Sequence, residues 1–185
     1  NGGNAVDLGL SVKWATMNVG ASNPEDYGDY FAWGETAPKV YYDWSTYKYD
    51  KGSYNSLTKY NNSSNGTVDN KTTLELSDDA AYMNWGGAWR MPTDAEMIEL
   101  RKQCTWKWTT QNGVNGYKVT SKSNGNSIFL PAAGYRDGSS LNYAGSEGDY
   151  WSSSLYAGGP HIAWCVYFYS GDVYGYSDYR YRGHS

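Results

Sequence analysis

Aliphatic residues are scarce in this chain: Leu, Ile, Val and Phe together number 24 of 185. So low a content ordinarily accompanies disorder, because too little apolar area can be buried to offset chain entropy. Basic residues are no more abundant, with 15 Lys and Arg against 19 Asp and Glu and no Lys after Lys122. The net charge of -4 leaves no positive field of the kind that binds nucleic acid or an anionic membrane surface. No run approaches the roughly 18 apolar residues of a membrane span. The chain also opens at Asn1 with neither Met nor a charged-then-apolar leader, so we expect the exported form of a cell-surface or extracellular protein. The two cysteines, Cys104 and Cys165, are too few and too far apart to outline a disulfide framework. The two histidines, His161 and His184, are too few for a three-His metal centre. There is no P-loop, GxSxG elbow or HExxH string, and no cofactor or metal is expected.

What the chain has is tyrosine. Twenty Tyr and nine Trp restore the missing apolar area, and a charge this small does not hold the chain open, so a folded domain with an aromatic core is expected over 1–185. The stretches 12–19 (VKWATMNV) and 30–33 read as strands. Between 38 and 70 the chain turns rich in Tyr, Ser, Asn and Lys without aliphatic periodicity, which reads as a surface insertion. Ser77-Asp78-Asp79 is set to cap a short helix stopped by Gly86-Gly87, and Thr93 with Glu96 forms a capping box for a helix over 94–103. Short β-type runs over 105–110, 116–121, 127–132, 150–153, 163–169 and 173–179 follow, separated by turn signals. The fold class is therefore α+β, two short helices before a mostly antiparallel, irregular β region. The stretch 137–149 is rich in oxygen donors but matches no EF-hand pattern and reads as a turn-rich loop.

The strings VDLGLSVKWATMNVG, YGDYFAWGE, WGGAWRMPTDAEM and FLPAAGYRDG, in that order, resemble the Fibrobacter major-paralogous-domain family of Bacteroidetes surface proteins. The Arg-Met-Pro-Thr-Asp-Ala-Glu string is similar to an element of the formylglycine-generating-enzyme superfamily, and the resemblance implies a C-type-lectin-like fold. The oxidases of that superfamily use a cysteine pair near the C-terminus, where this chain has Cys165 alone, so no catalysis is expected. The Glu-Pro-Asn and Trp-Asn-Asp sugar motifs of calcium-dependent lectins are absent as well.

The informative segment is 156–182. On a strand, Trp164, Val166 and Phe168 face one side and Cys165, Tyr167 and Tyr169 the other. After the Ser170-Gly171-Asp172 turn the chain reads VYGYSDYRYR, with little to bury beyond Val173. Tyr offers broad contact area at low rotamer cost, and Ser, Gly and Asp adapt to polar partners, as in antibody paratopes. Residues 1–155 hold 30 Lys, Glu, Gln, Met or Trp, whereas 156–185 hold only Trp164. That gap fits a further implication of the resemblance: some relatives are variable proteins of diversity-generating retroelements, whose randomised Asn codons cannot yield those five residues. The expected contacts are Tyr167, Tyr169, Tyr174, Tyr176, Tyr179 and Tyr181. Asp172, Asp178 and Arg182 would supply charge selectivity, and Ser177, His161 and Cys165, as a free thiol, complete the face. The partner is a protein or a glycan. The competing reading makes these strands a sheet face covered by the 38–70 insertion; the alternative functions are a fixed carbohydrate-binding or adhesin module and, behind it, an enzyme of the formylglycine-generating type that the resemblance implies. Nothing in the sequence bears on oligomeric state.

Overall fold

The computed structural model describes residues 3–185; Asn1, with which the sequence opens, lies outside the described residues. Two short helices precede antiparallel sheets, an α+β arrangement. Strands β1 (Ala5–Val6) and β2 (Trp14–Ala15) pair antiparallel near the N-terminus. The strand expected over 12–19 is confined to β2, because the chain turns at Asn18, whose carbonyl accepts from the Ala21 amide. Its buried side chain bonds the Tyr27 carbonyl and the Tyr150 hydroxyl instead of pointing from a pleat. Likewise 30–33 is not a strand: it makes one antiparallel bridge, Phe31 to His184.

Helix α1 (Ala80–Trp85) starts at Asp79, which accepts from the Tyr82 amide, and stops at Gly86, whose φ of 71° needs a glycine. Helix α2 (Asp94–Gln103) opens with the reciprocal Thr93 and Glu96 capping box, and Arg90 clamps Glu96 with two hydrogen bonds. Both ends agree with the sequence pattern. The helix buries Met97 and Leu100 against Tyr117, Val119, Ile128, Tyr150, Val166 and Phe168.

That core is shared by two three-stranded antiparallel sheets. The first has the order β3 (Cys104–Gln111), β4 (Val114–Ser121), β5 (Ser127–Pro131), with β3 and β4 joined through Asn112 and Gly113 at φ 48° and 80°, the geometry of a two-residue hairpin turn. A small hairpin, β6 (Tyr135–Asp137) with β7 (Ser140–Asn142), follows, its second strand lying in the 137–149 stretch expected to be a loop. The second sheet has the order β10 (Asp172–Tyr179), β9 (Ile162–Tyr169), β8 (Glu147–Leu155).

The 38–70 segment is not a surface appendage. Tyr42, Tyr47, Leu57, Tyr60 and Asn61 are buried within it. Its tyrosines replace aliphatic periodicity as the burial signal, and each buried hydroxyl has a partner: Tyr47 bonds the Trp33 carbonyl, Tyr42 the Tyr30 carbonyl and Tyr60 the Asp78 carboxylate.

The segment is fastened to the end of β10 by Arg180, which has no exposure at all. Its guanidinium donates to the carbonyls of Lys59, Tyr60 and Pro160 at 2.8 Å each and to the Tyr47 hydroxyl at 3.1 Å. It also lies over the rings of Trp33 and Tyr47. No carboxylate pairs with it among the described residues; carbonyl dipoles and ring faces meet the charge. Arg180→Met leaves three carbonyls, two of them buried, and one hydroxyl without this donor and is expected to cost roughly 3–5 kcal/mol. Urea denaturation of the variant measures this, and a loss below about 1 kcal/mol would mean that water replaces the guanidinium without cost.

Candidate ligand-binding face

Residues directly opposite in an antiparallel pair project to the same side. The register of β9 with β10 therefore sets Tyr167 beside Tyr174, Tyr169 beside Asp172, and Cys165 beside Tyr176. That of β8 with β9 adds Glu147 opposite Tyr169 and Asp149 opposite Tyr167. Toward the hairpin tip this face is open. Tyr169, Tyr174 and Tyr176 are 39%, 40% and 54% exposed, values that only side chains without core duty keep. Tyr167 is half-buried at the centre, its ring centroid 6.0 Å from Tyr174, 5.9 Å from Tyr176 and 6.2 Å from Tyr169. Below the rings, the Tyr117 hydroxyl donates to the Tyr169 carbonyl at 2.7 Å and fixes the strand that carries them. On the opposite face Phe168 and Val173 anchor the hairpin in the core.

Away from the tip the same face is closed. Cys165, expected to point outward, is buried among Trp33, Tyr60, Leu74, Trp151 and Leu155. The period-2 pattern placed it on the correct side, but the 30–60 region covers that half of the side. Burial holds its thiol well above the usual range. Cys104 is buried too, and neither cysteine is in a disulfide. A thiol reagent is expected to find none in the native protein and two after denaturation; one fast-reacting native thiol would contradict this burial.

Asp178 is likewise buried rather than outward. Burial alone would raise its carboxyl. The hydrogen bond with His184 and the charge of Arg182 nevertheless hold it below the ordinary range. Burial drives His184 toward the neutral form, so with Asp178 ionised the imidazole Nε2–H donates to Oδ2 at 2.9 Å. Arg182 bridges Asp178 and Asp137 at 2.8 and 3.0 Å, which fixes its guanidinium in the scaffold. Tyr181 is half-buried against Trp44 and bonds Asp137. Tyr179 is 42% exposed but projects to the other side of β10, as Ser177 does, stacked on Tyr181 and near His161. The predicted set thus divides in three. Tyr167, Tyr169, Asp172, Tyr174 and Tyr176 come together. Tyr179, Tyr181, Ser177 and His161 lie apart from them, and Cys165, Asp178 and Arg182 serve the scaffold.

Two residues of the open face were not anticipated. Asp149 is buried with its Oδ2 unpartnered, and Glu147 is half-buried beside it, in contact with the Tyr167 hydroxyl. Their signal was the Glu-Gly-Asp alternation at the head of β8, which puts both on one side. Burial, and then the proximity of Glu147, push the Asp149 carboxyl up to about 9. A cavity of about 590 Å³ lies elsewhere. It is walled by apolar side chains that include Trp14, Trp89, Met97, Trp106 and Ile128, and none of the exposed tyrosines borders it. Among the described residues no group of three or more His, Cys, Asp or Glu is placed to hold a metal ion, and no helix is long and apolar enough to cross a membrane.

Because the folded chain keeps the Asp149 proton where an unfolded Asp, near 3.9, has lost it, this group's contribution is fully favourable below about pH 4. Stability from it then falls as pH rises toward 9. Asp149→Asn is expected to flatten the dependence of unfolding free energy on pH between about 5 and 9. An unchanged slope in urea titrations across that range would show that the carboxyl is ionised in the native state.

No protein-family model, curated protein or solved structure matches the chain.

Proposed function

We propose that this is a non-catalytic, surface-displayed ligand-binding protein. Its binding face is the tyrosine cluster of the β9 and β10 hairpin, on a domain of C-type-lectin-like fold, and the ligand is a protein or a glycan. The observation that carries the reading is the combination of four clustered tyrosine rings, three of them more than a third exposed, with anchors that lie on the opposite side of the same strands. Stacked rings on a hydrogen-bonded hairpin are preorganised, so little rotamer freedom is lost when a partner covers them. The order of helices before antiparallel strands, and the backbone bonds joining Phe31 and Trp33 to His184 and Arg180, support the fold reading.

The absence of Lys, Glu, Gln and Met from 156–185 supports diversification of this segment by a retroelement. In sibling genes, substitutions are expected at 167, 169, 174 and 176 and not at the buried positions 165 and 178. Sequencing of the 3′ end from several isolates reads this directly, and substitutions spread evenly over buried and exposed positions would favour a fixed module.

The direct test of the face is the triple variant Tyr169→Ser, Tyr174→Ser, Tyr176→Ser. Truncating interface aromatics typically costs about 2 kcal/mol or more each in binding, whereas exposed positions change stability by only about 0.5 kcal/mol. Ligands selected on the wild-type protein are expected to lose at least a hundredfold in affinity for the variant with its Tm nearly unchanged. Retained affinity, or a collapse in Tm, would refute the assignment.

A further inference from the structure

The open face carries acidic groups that no cation answers. Glu147 and Asp149 project from β8 toward the same side as Tyr167 and Tyr169 of β9 and Asp172, Tyr174 and Tyr176 of β10. Asp178, farther along β10, adds to the negative field, but it is already answered by His184 and by Arg182. Arg182, the cation whose field reaches the carboxyl pair, is spent on Asp137 and Asp178. Among the described residues no Lys, Arg or His forms an ion pair with Glu147, Asp149 or Asp172. Asp149 is 4% exposed, and its Oδ2 has no hydrogen-bond partner.

The rings tell the same story. Lys and Arg side chains of this chain lie over Trp33 and over eight tyrosines elsewhere, including Tyr135, Tyr179 and Tyr181. Among the described residues none lies over Tyr167, Tyr169, Tyr174 or Tyr176. An aromatic cluster with carboxyl groups at its base and no cation of its own is the arrangement that holds alkylammonium groups.

We propose that this face takes an organic ammonium group, as on the lysine side chain of a protein ligand, against the rings of Tyr167, Tyr169, Tyr174 and Tyr176 and the carboxyl pair of Glu147 and Asp149. The inference rests on the binding-face reading and names the chemistry of its ligand. Burial, and at Asp149 the neighbouring Glu147 as well, keep a proton on the pair in the free protein. A docking ammonium supplies the missing positive charge, so the carboxyl O–H bond breaks and the proton passes to solvent. Binding therefore tightens as pH rises toward the point at which the free pair ionises.

Three matched twelve-residue Gly/Ser peptides serve as probes, carrying four lysines, four Nε-acetyl-lysines or four glutamates, with affinity read by fluorescence polarisation. Proton release is read by calorimetry in two buffers of different ionisation enthalpy. The lysine peptide is expected to bind at least tenfold tighter than the acetylated one and to release protons. Glu147→Gln, an isosteric change at a half-buried site, is expected to lose tenfold in affinity with an unchanged Tm. Equal binding of the acetylated peptide, wild-type affinity in Glu147→Gln, or no binding of any peptide would each overturn the ammonium assignment. The double variant Tyr174→Ser, Tyr176→Ser separates the two levels. If it holds the lysine peptide as tightly as wild type does, the tyrosine face is not the site and the underlying reading falls as well.

Discussion

A guanidinium removed wholly from water must have its N–H groups satisfied by the protein, or the surrounding packing does not form. Arg180 is under that constraint, and much of the molecule is arranged by it. Four groups from residues 47, 59, 60 and 160 converge on its side chain. Its own backbone accepts from Trp33 and donates to His161. The end of β10, the approach to β9, the 30–33 segment and the Tyr-rich 38–70 stretch are thereby tied at one point. With so few aliphatic side chains available, a polar hub wrapped in aromatic rings takes the place of a larger aliphatic core.

That anchorage explains how one pair of strands serves two purposes. At the Arg180 end, the side of the hairpin bearing Cys165 and Asp178 is covered by Trp33, Tyr60 and Trp151 and belongs to the interior. Toward the tip, the cover ends and the same side emerges as Tyr167, Tyr169, Tyr174 and Tyr176. Exposed rings can then change without disturbing the scaffold, since Phe168 and Val173 hold the hairpin from behind.

Charge is divided in the same way. Asp178 and Asp137 share the one cation Arg182, and Asp178 also accepts from the neutral His184, so both carboxylates have partners within the scaffold. Glu147 and Asp149, two residues apart on β8, have no such compensation. The resulting negative base beneath a neutral aromatic surface gives the face a sign as well as a shape, and sign governs which partners are rejected.

Local signals were read well from the sequence alone. The Thr93 and Glu96 capping box, the Asp79 cap and Gly86 stop, and the alternation of 162–169 depend on neighbours a few residues away, and the helices and long strands follow from them. The aromatic composition likewise implied an aromatic core. What lay over each strand was a different matter, because period-2 alternation assigns a residue to a side without stating whether that side is covered. Cys165 and Tyr167 are two residues apart on one side, yet Trp33 and Tyr60, more than a hundred positions earlier, bury the first and leave the second at the surface. Arg180 lies in a stretch whose pattern shows little to bury, and it is interior for the same reason, since its partners at 47, 59 and 60 are remote in sequence. Sequence determined the two helices, the long strands and which of their residues share a side; only tertiary structure, through contacts between distant segments, decided the short pairings, which sides meet water and which charges remain unanswered.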